Sequence, residues 1–151
     1  MVAHIVEPKR GADVGRVVVE VRVQNYGDVE RAQRGEIAED AIRQLTVRAL
    51  VDSGATFLCL PRPQIEQLSL HLQRVKEARA VSGTLNLGIY GAAKVATGGR
   101  ECITEVMELP ADRQPLLGQI PLEMMDWWVD VTNQRLVGNP EHGGEQMIDM
   151  F

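Results

Sequence analysis

A sharp turn that carries a carboxylate, Asp52-Ser53-Gly54, follows directly on an alternating strand. Apolar residues recur at every second position between 45 and 51, which is the period of a β-strand with one buried face. Such a strand delivers the side chain of Asp52 to a fixed place. Ser53 adds a hydroxyl that can form hydrogen bonds, and Gly54 allows a close approach that a Cβ would block. The run predicts a β-sheet domain with a carboxylate poised for chemistry.

Further strand patterns lie on both sides of this turn. Valines at positions 17, 19, 21 and 23 alternate with polar residues at 20, 22 and 24, and residues 57–60 form a short apolar run that a proline stops. Both patterns predict strands, the second of them buried. A proline suited to a first helical turn opens residues 63–70, which predict a short helix. The charged, glycine-punctuated segment 27–40 predicts a solvated loop or hairpin excursion rather than a linker between domains.

Hairpins are predicted in the second half of the chain. Turn signals at residues 82–83 and 98–99 separate runs rich in β-formers within 75–109, so we expect two successive hairpins there. The first spans residues 79–90, and residues 128–137 predict a closing hairpin. The small residues at the tip of the first hairpin are Ser82, Gly83 and Thr84.

Charge and hydropathy exclude several classes of protein. The chain has 16 Lys and Arg against 21 Asp and Glu, for a net charge of −5, and its basic residues are scattered. A nucleic-acid-binding surface needs a basic cluster, so none is expected. No stretch approaches the ~20 apolar residues of a membrane span, and no leader segment is apparent. We therefore expect a cytoplasmic protein.

The residues that usually hold metals or cofactors are few and scattered. Cys59 and Cys102 lie in strand-like apolar contexts and are predicted to be reduced core thiols. His4, His71 and His142 show no metal-ligand spacing, and the glycines lack the strand-to-helix context of a phosphate loop. Neither a metal nor an organic cofactor is expected.

A second motif, Leu116-Leu117-Gly118, is followed by a short apolar helix pattern. Alone it has little meaning, because glycine commonly ends an apolar strand. Its order relative to the Asp52 turn is what makes it informative. Next to it, residues 124–125 and 127–128 are paired methionines and tryptophans, which predict core packing or, if exposed, a partner surface.

Taken together, the two motifs resemble those of the retroviral-like aspartic proteases, or retropepsins, in the single-domain form found in bacteria. The resemblance implies a mainly β fold with a closed, barrel-like sheet and one or two short helices. It covers residues 17–140. Residues 1–16 are then an N-terminal extension, and residues 141–151 are expected to form a flexible tail.

The family needs two facing Asp loops, and this chain carries one. Asp126 and Asp130 also have apolar neighbours, but neither precedes Ser-Gly or Thr-Gly. The second carboxylate must then come from another copy, so the resemblance implies a homodimer with Asp52 near its two-fold axis.

Roles for individual residues follow from the same resemblance. Asp52 would be catalytic, and the active-site loop would comprise Ser53, Gly54, Ala55 and Thr56. The hairpin tip at residues 82–84 would be a flap over a peptide substrate, although a plain surface hairpin fits the same pattern. Gly118 would let strands cross beneath the loop. A proteolytically silent peptide-binding or assembly module on this fold is the alternative function.

Two segments depart from the compact viral pattern. The segment 27–40 is longer than the viral enzymes carry, and Gln119-Ile120 stands where they usually have a basic and a polar residue. The first departure affects substrate entry, and the second affects the dimer contacts made by the following helix.

Overall fold

A computed structural model of the chain describes residues 5–6, 16–110 and 112–147. Within these ranges the strands are β1 Ile5–Val6, β2 Val18–Asn25, β3 Gln44–Val51, β4 Leu58–Pro61, β5 His71–Ala80, β6 Gly83–Thr97, β7 Arg100–Leu109, β8 Leu116–Leu117, β9 Trp127–Asp130 and β10 Arg135–Gly138. The helices are α1 Tyr26–Gln33, α2 Arg62–Gln67 and α3 Gln119–Met124, with single 3-10 turns at Glu39–Ala41 and Pro140–His142. The predicted mainly β class is confirmed. Among the described helices, none has the length and apolar character needed to cross a membrane.

Six strands pair edge to edge in a closed ring. Their order is β2, β3, β8, β4, β7 and β6, and the ring closes where residues 22–25 of β2 pair with residues 93–96 of β6. Within the described residues, β5 pairs with β6 and with no other strand, so it lies outside the ring. A separate three-stranded sheet has the order β1, β10, β9. The closed sheet expected from the sequence is present.

The core is built mainly from aliphatic side chains of the ring. Val19, Val21 and Val23 of β2 are fully buried, while Glu20 and Arg22 between them are exposed, as the alternation predicts. Leucines from β4 and β8 and from the end of α2 complete this core. Burial of each such side chain contributes about 1.5–3 kcal/mol to folding. Cys59 and Cys102 are free and buried, as predicted.

The prediction of a solvated loop or hairpin excursion over residues 27–40 is wrong for residues 27–33, which belong to helix α1, whereas residues 34–38 form an irregular and mostly exposed segment. The Asn25 side-chain oxygen accepts a hydrogen bond from the Asp28 amide at 3.0 Å and caps the helix. Asp28 is buried and accepts two hydrogen bonds from the Arg43 guanidinium, each 2.8 Å long. The helix therefore depends on a partner beyond its own sequence, and an eight-residue helix is marginal without such contacts.

Two other boundaries differ from the predictions. The first hairpin is much longer than residues 79–90, because β5 and β6 pair continuously from His71–Gly91 to Ala80–Gly83 with one irregularity. The predicted helix over 63–70 begins at Arg62 and ends at Gln67. The turn at residues 98–99 is confirmed: both glycines have positive φ, of 62° and 81°, as a tight hairpin turn requires.

Parts of both terminal segments contact the body of the protein. In the predicted N-terminal extension, Ile5–Val6 pairs with β10. Residues 141–147 of the predicted flexible tail are hydrogen-bonded to the body of the protein, with Met147 donating its amide to Asp126 at 3.0 Å. Residues 1–4, 7–15 and 148–151 lie outside the described residues, and the prediction for His4 falls there.

Candidate active site

Asp52 follows the last residue of β3 and is held by backbone hydrogen bonds on both sides. Its amide donates to the carbonyl oxygen of Leu117 at 3.0 Å, and its own carbonyl oxygen accepts from the Ala55 amide at 3.1 Å. The Oδ1 atom accepts from the Gly54 amide at 2.9 Å. The side chain is partly buried, whereas Ser53 and Gly54 are exposed. The turn therefore presents a carboxylate whose orientation is fixed by its own loop.

Gly118 lies directly beneath this loop, where no side chain fits. A Cβ atom at this position would lie 2.3 Å from the Phe57 carbonyl oxygen and 2.6 Å from that of Ala55. The next two amides bind the loop, because Gln119 donates to the Ala55 oxygen at 2.7 Å and Ile120 donates to the Thr56 oxygen at 2.9 Å. The structure thus brings the two sequence motifs into direct contact.

The pairing of β8 explains how the motifs meet. Residues 116–117 run parallel to the end of β3 and antiparallel to the start of β4. β8 therefore fills the gap between the two strands that flank the Asp52 turn. The loop is supported from below by a segment from the other half of the chain.

A cavity of about 490 Å³ opens in front of Asp52. One wall comes from the long hairpin, through Ala78 on β5 and Leu85 and Leu87 on β6. The hairpin and Asp52 therefore line the same cavity. The predicted tip residues Ser82, Gly83 and Thr84 are exposed and are not among the described residues of the cavity wall. Their role in substrate binding stays a prediction.

Ser53 lines a second cavity, of about 590 Å³, next to the Asp52 turn. The residues that line it include a hydrogen-bonded cluster that the sequence did not predict. The Nδ1 atom of His142 lies 2.5 Å from Oδ2 of Asp126, and Asn139 donates to Oδ1 of Asp126 at 3.3 Å. Burial of Asp126 acts to raise its pKa, but the hydrogen bonds from His142, Met147 and Asn139 outweigh this effect and lower it.

The cluster has no continuous sequence signal. Asp126 comes before β9, and Asn139 and His142 come after β10, so the hairpin between them brings these side chains together. In the sequence, the only indication of this cluster was the hairpin pattern, combined with polar residues at its two ends. Asp126 also has a positive φ of 58°, which the pattern of polar and apolar residues does not reveal.

Arg100 links the segment around Asp126 to the closed sheet. It is buried, its guanidinium lies 4.0 Å from the centre of the Trp127 ring, and it donates to the carbonyl oxygens of Met125 and Asp126 at 3.0 and 2.8 Å. It also donates to the carbonyl oxygen of Gly144. Burial lowers the pKa of Arg100, although a guanidinium stays protonated. This residue is a structural link between β7 and the C-terminal segment.

The two thiols are poor candidates for chemistry. Burial raises the pKa of Cys59 to about 11, with a further contribution from the charge of Asp52, and burial raises that of Cys102 to the same value. A thiolate is the reactive form, so both side chains are inert at neutral pH. The described residues contain no group of three or more His, Cys, Asp and Glu side chains placed to hold a metal ion.

No protein-family model matches the chain, and no curated protein matches it either. Among solved structures, the chain is similar to the solution structure of the simian foamy virus (mac) protease. The identity is 25%, the TM-score is 0.40, and the match covers 51% of this chain and 80% of the viral chain.

Proposed function

We propose that the protein is a retropepsin-like aspartic endopeptidase in which two copies of the chain each supply Asp52. The observation that carries the proposal is the placement of Asp52. Asp52 stands at a strand end and lines an open cavity together with the long hairpin, and its loop contacts Gly118, where no side chain fits. A peptide in extended conformation fits such a cavity, because the hairpin offers a strand edge for pairing.

The mechanism follows from two carboxylates that share one proton. One Asp52 acts as general base on a water molecule, and the protonated Asp52 of the second copy polarises the carbonyl of the scissile bond. Two like charges at close range cannot both ionise easily, which keeps the shared proton in place; this dyad is a standard example of such coupling. No covalent intermediate forms. Ser53 braces the two loops across the dimer.

An exposed apolar surface beside Ser53 supports the dimer. Four side chains on the rim of the second cavity are substantially exposed for apolar residues: Met124 at 40%, Trp128 at 46%, Val129 at 36% and Met147 at 49%. A contiguous group of this kind commonly marks a protein interface. A second copy would cover it while bringing its own Asp52 turn to the first.

A serine hydrolase is the competing enzyme class, because Ser53 and the Asp126–His142 pair line one cavity. A serine nucleophile needs a base within hydrogen-bond reach. Within the described part of the chain, no hydrogen bond joins Ser53 to His142, whose ring contacts Asp126 and Asn139. A Ser53→Ala variant that loses all hydrolysis while remaining dimeric would favour the serine mechanism.

Inhibitor classes test the proposal directly. A peptide mimic with a tetrahedral secondary alcohol, of the statine type, replaces the attacking water between two carboxylates, and transition-state analogues bind ~10²–10⁸-fold more tightly than substrates. We expect a panel of such compounds to inhibit casein hydrolysis and to raise the melting temperature. Inhibition by serine-directed reagents or chelators, with no response to the panel, would contradict the aspartic mechanism. Peptide binding without hydrolysis would favour the silent module instead.

A further inference from the structure

The cavity in front of Asp52 is basic, although the protein is acidic. Three arginines line it: Arg16, Arg79 and Arg113. Asp52 is the only acidic residue among its described lining residues, whereas the whole chain carries a net charge of −5. A positively charged cavity wall attracts anionic groups and repels cationic ones.

The three arginines lie on two sides of the cavity. Arg79 belongs to β5 of the long hairpin, while Arg113 lies in the loop that leads to β8. Arg16 precedes β2 and donates to the side-chain oxygen of Gln114 at 3.2 Å, so it lies beside the Arg113 loop. A peptide held between hairpin and loop would have guanidinium groups on both sides.

Two of these guanidinium groups have no carboxylate partner in the described ranges. Arg43, Arg74 and Arg135 form ion pairs with Asp28, Glu105 and Asp130. In contrast, neither Arg79 nor Arg113 forms an ion pair with any described residue, and both side chains are exposed. An arginine can bind a carboxylate through two parallel hydrogen bonds, so both groups are available to a ligand.

Apart from Gln114, the rest of the wall is apolar. Five leucines contribute to it: Leu50, Leu85, Leu87, Leu109 and Leu116. These residues would contact apolar side chains near the bond that is cleaved. In an extended peptide successive side chains point to opposite sides and advance by about 3.3 Å per residue, so residues a few positions away would reach the arginines.

We propose that this cavity selects peptides with an acidic side chain a few residues from an apolar cleavage site. The inference rests on the proposed endopeptidase function and adds a substrate class to it. In the proposed homodimer, the same arginines would lie on both sides of the scissile bond, so acidic residues before or after it would be favoured. Each exposed ion pair is worth only about 2- to 5-fold in affinity, so the selection should be graded.

Matched peptides with a fluorescent reporter test the proposal. All have acetylated and amidated ends and the same apolar centre, and they differ only by Glu, Gln or Lys at one position two to four residues from the centre. We expect kcat/KM to be about 2- to 5-fold higher for the best Glu peptide than for its Gln counterpart, and the value for the Lys peptide should be lower than both. The ratio should fall towards one in 1 M salt, where screening acts over about 3 Å.

Variants assign the effect to the arginines. The double variant Arg79→Gln, Arg113→Gln should bring the Glu-to-Gln ratio close to one. Arg48→Gln is the matched control, because Arg48 is exposed on β3 and does not line the cavity. An equal ratio in the parent and the double variant, or a preference for Lys, would overturn the proposal.

A binding measurement separates this inference from the proposed function. The same peptides are titrated into the Asp52→Asn protein, and binding is followed by fluorescence anisotropy. If the parent protein cleaves no peptide but the variant binds Glu peptides more tightly than Gln peptides, the endopeptidase proposal fails and the acidic selectivity stands. Asp52-dependent cleavage with equal binding of all three peptides refutes the selectivity alone.

Discussion

The amide of Asp52 donates a hydrogen bond to the carbonyl oxygen of Leu117 at 3.0 Å, and this bond ties the candidate catalytic turn to a strand from the other half of the chain. The position of the carboxylate therefore depends on residues distant in sequence. Substitutions under the turn should disturb the site as well as the fold.

Gly118→Ala is expected to destabilise the protein by at least about 2 kcal/mol, because its Cβ would overlap two backbone carbonyl oxygens that cannot move independently. Thermal unfolding measures the loss. Gly27→Ala is the control: its Cβ would meet only the Asn25 side chain at 3.3 Å, and alanine favours the helix. Equal melting temperatures for Gly118→Ala and the parent would contradict the close approach of Gly118 to these two carbonyl oxygens.

The Asp28–Arg43 pair should make stability depend on pH. The hydrogen bonds from Arg43 lower the pKa of Asp28 from 3.8 to about 2. A carboxyl group whose pKa is lower in the folded state stabilises the protein above its unfolded pKa, and this contribution is lost as pH falls from about 4 to about 2. The shift in the pKa of Asp28 corresponds to about 2 kcal/mol of folding stability. Solvent screening at the half-exposed Arg43 reduces this contribution.

Urea unfolding between pH 6 and pH 2.5 measures this effect. Asp28→Asn should lower stability at pH 6 and flatten the acid dependence over that interval. If the variant and the parent lose stability in parallel as the pH falls, the pair does not contribute as described.

The Asp126–His142 contact should hold the C-terminal segment in place. His142→Ala removes one hydrogen-bond partner from a buried carboxylate, which costs about 1–3 kcal/mol. We expect faster amide exchange at Met147, whose amide binds the same carboxylate. His71→Ala, at an exposed histidine on β5, should leave that exchange unchanged. Equal protection of Met147 in both variants would be inconsistent with this contact.

Activity should depend on protein concentration. Each proposed active site needs two chains, so specific activity should fall on dilution as the dimer dissociates. Sedimentation at high concentration should give a species of twice 16.7 kDa. A strictly monomeric sample with full specific activity would be incompatible with one carboxylate per chain.

The strands and the loop that carries Asp52 could be predicted from sequence because their signals are local. Valine alternation in β2 and the glycines of the β6–β7 turn determine their own conformations. Helix α1 could not be predicted, because it is short, has Gly27 in its first turn, and depends on Asn25 and Arg43 as partners. Tertiary contacts outweigh weak helix propensity in such a segment.

The polar cluster of the second cavity escaped prediction for a related reason. Asp126 and His142 meet only because β9 and β10 form a hairpin and because Asp126 adopts a positive φ. The basic wall of the first cavity also arises from three separate segments of the chain. Sequence showed the arginines as scattered, and only the fold brings Arg16, Arg79 and Arg113 to one cavity.

The central claim is that Asp52 performs the chemistry, and hydrolysis by the purified Asp52→Asn variant tests it most directly. The substitution is nearly isosteric and removes the ionisable group, and general acid–base catalysis alone is worth ~10²–10⁴-fold. Asp40→Asn, at an exposed aspartate outside both cavities, is the control and should retain the activity of the parent. We predict that Asp52→Asn reduces peptide hydrolysis more than 10²-fold while its dimer and circular dichroism spectrum remain unchanged. Hydrolysis at the parent rate by a folded Asp52→Asn protein would contradict the assignment.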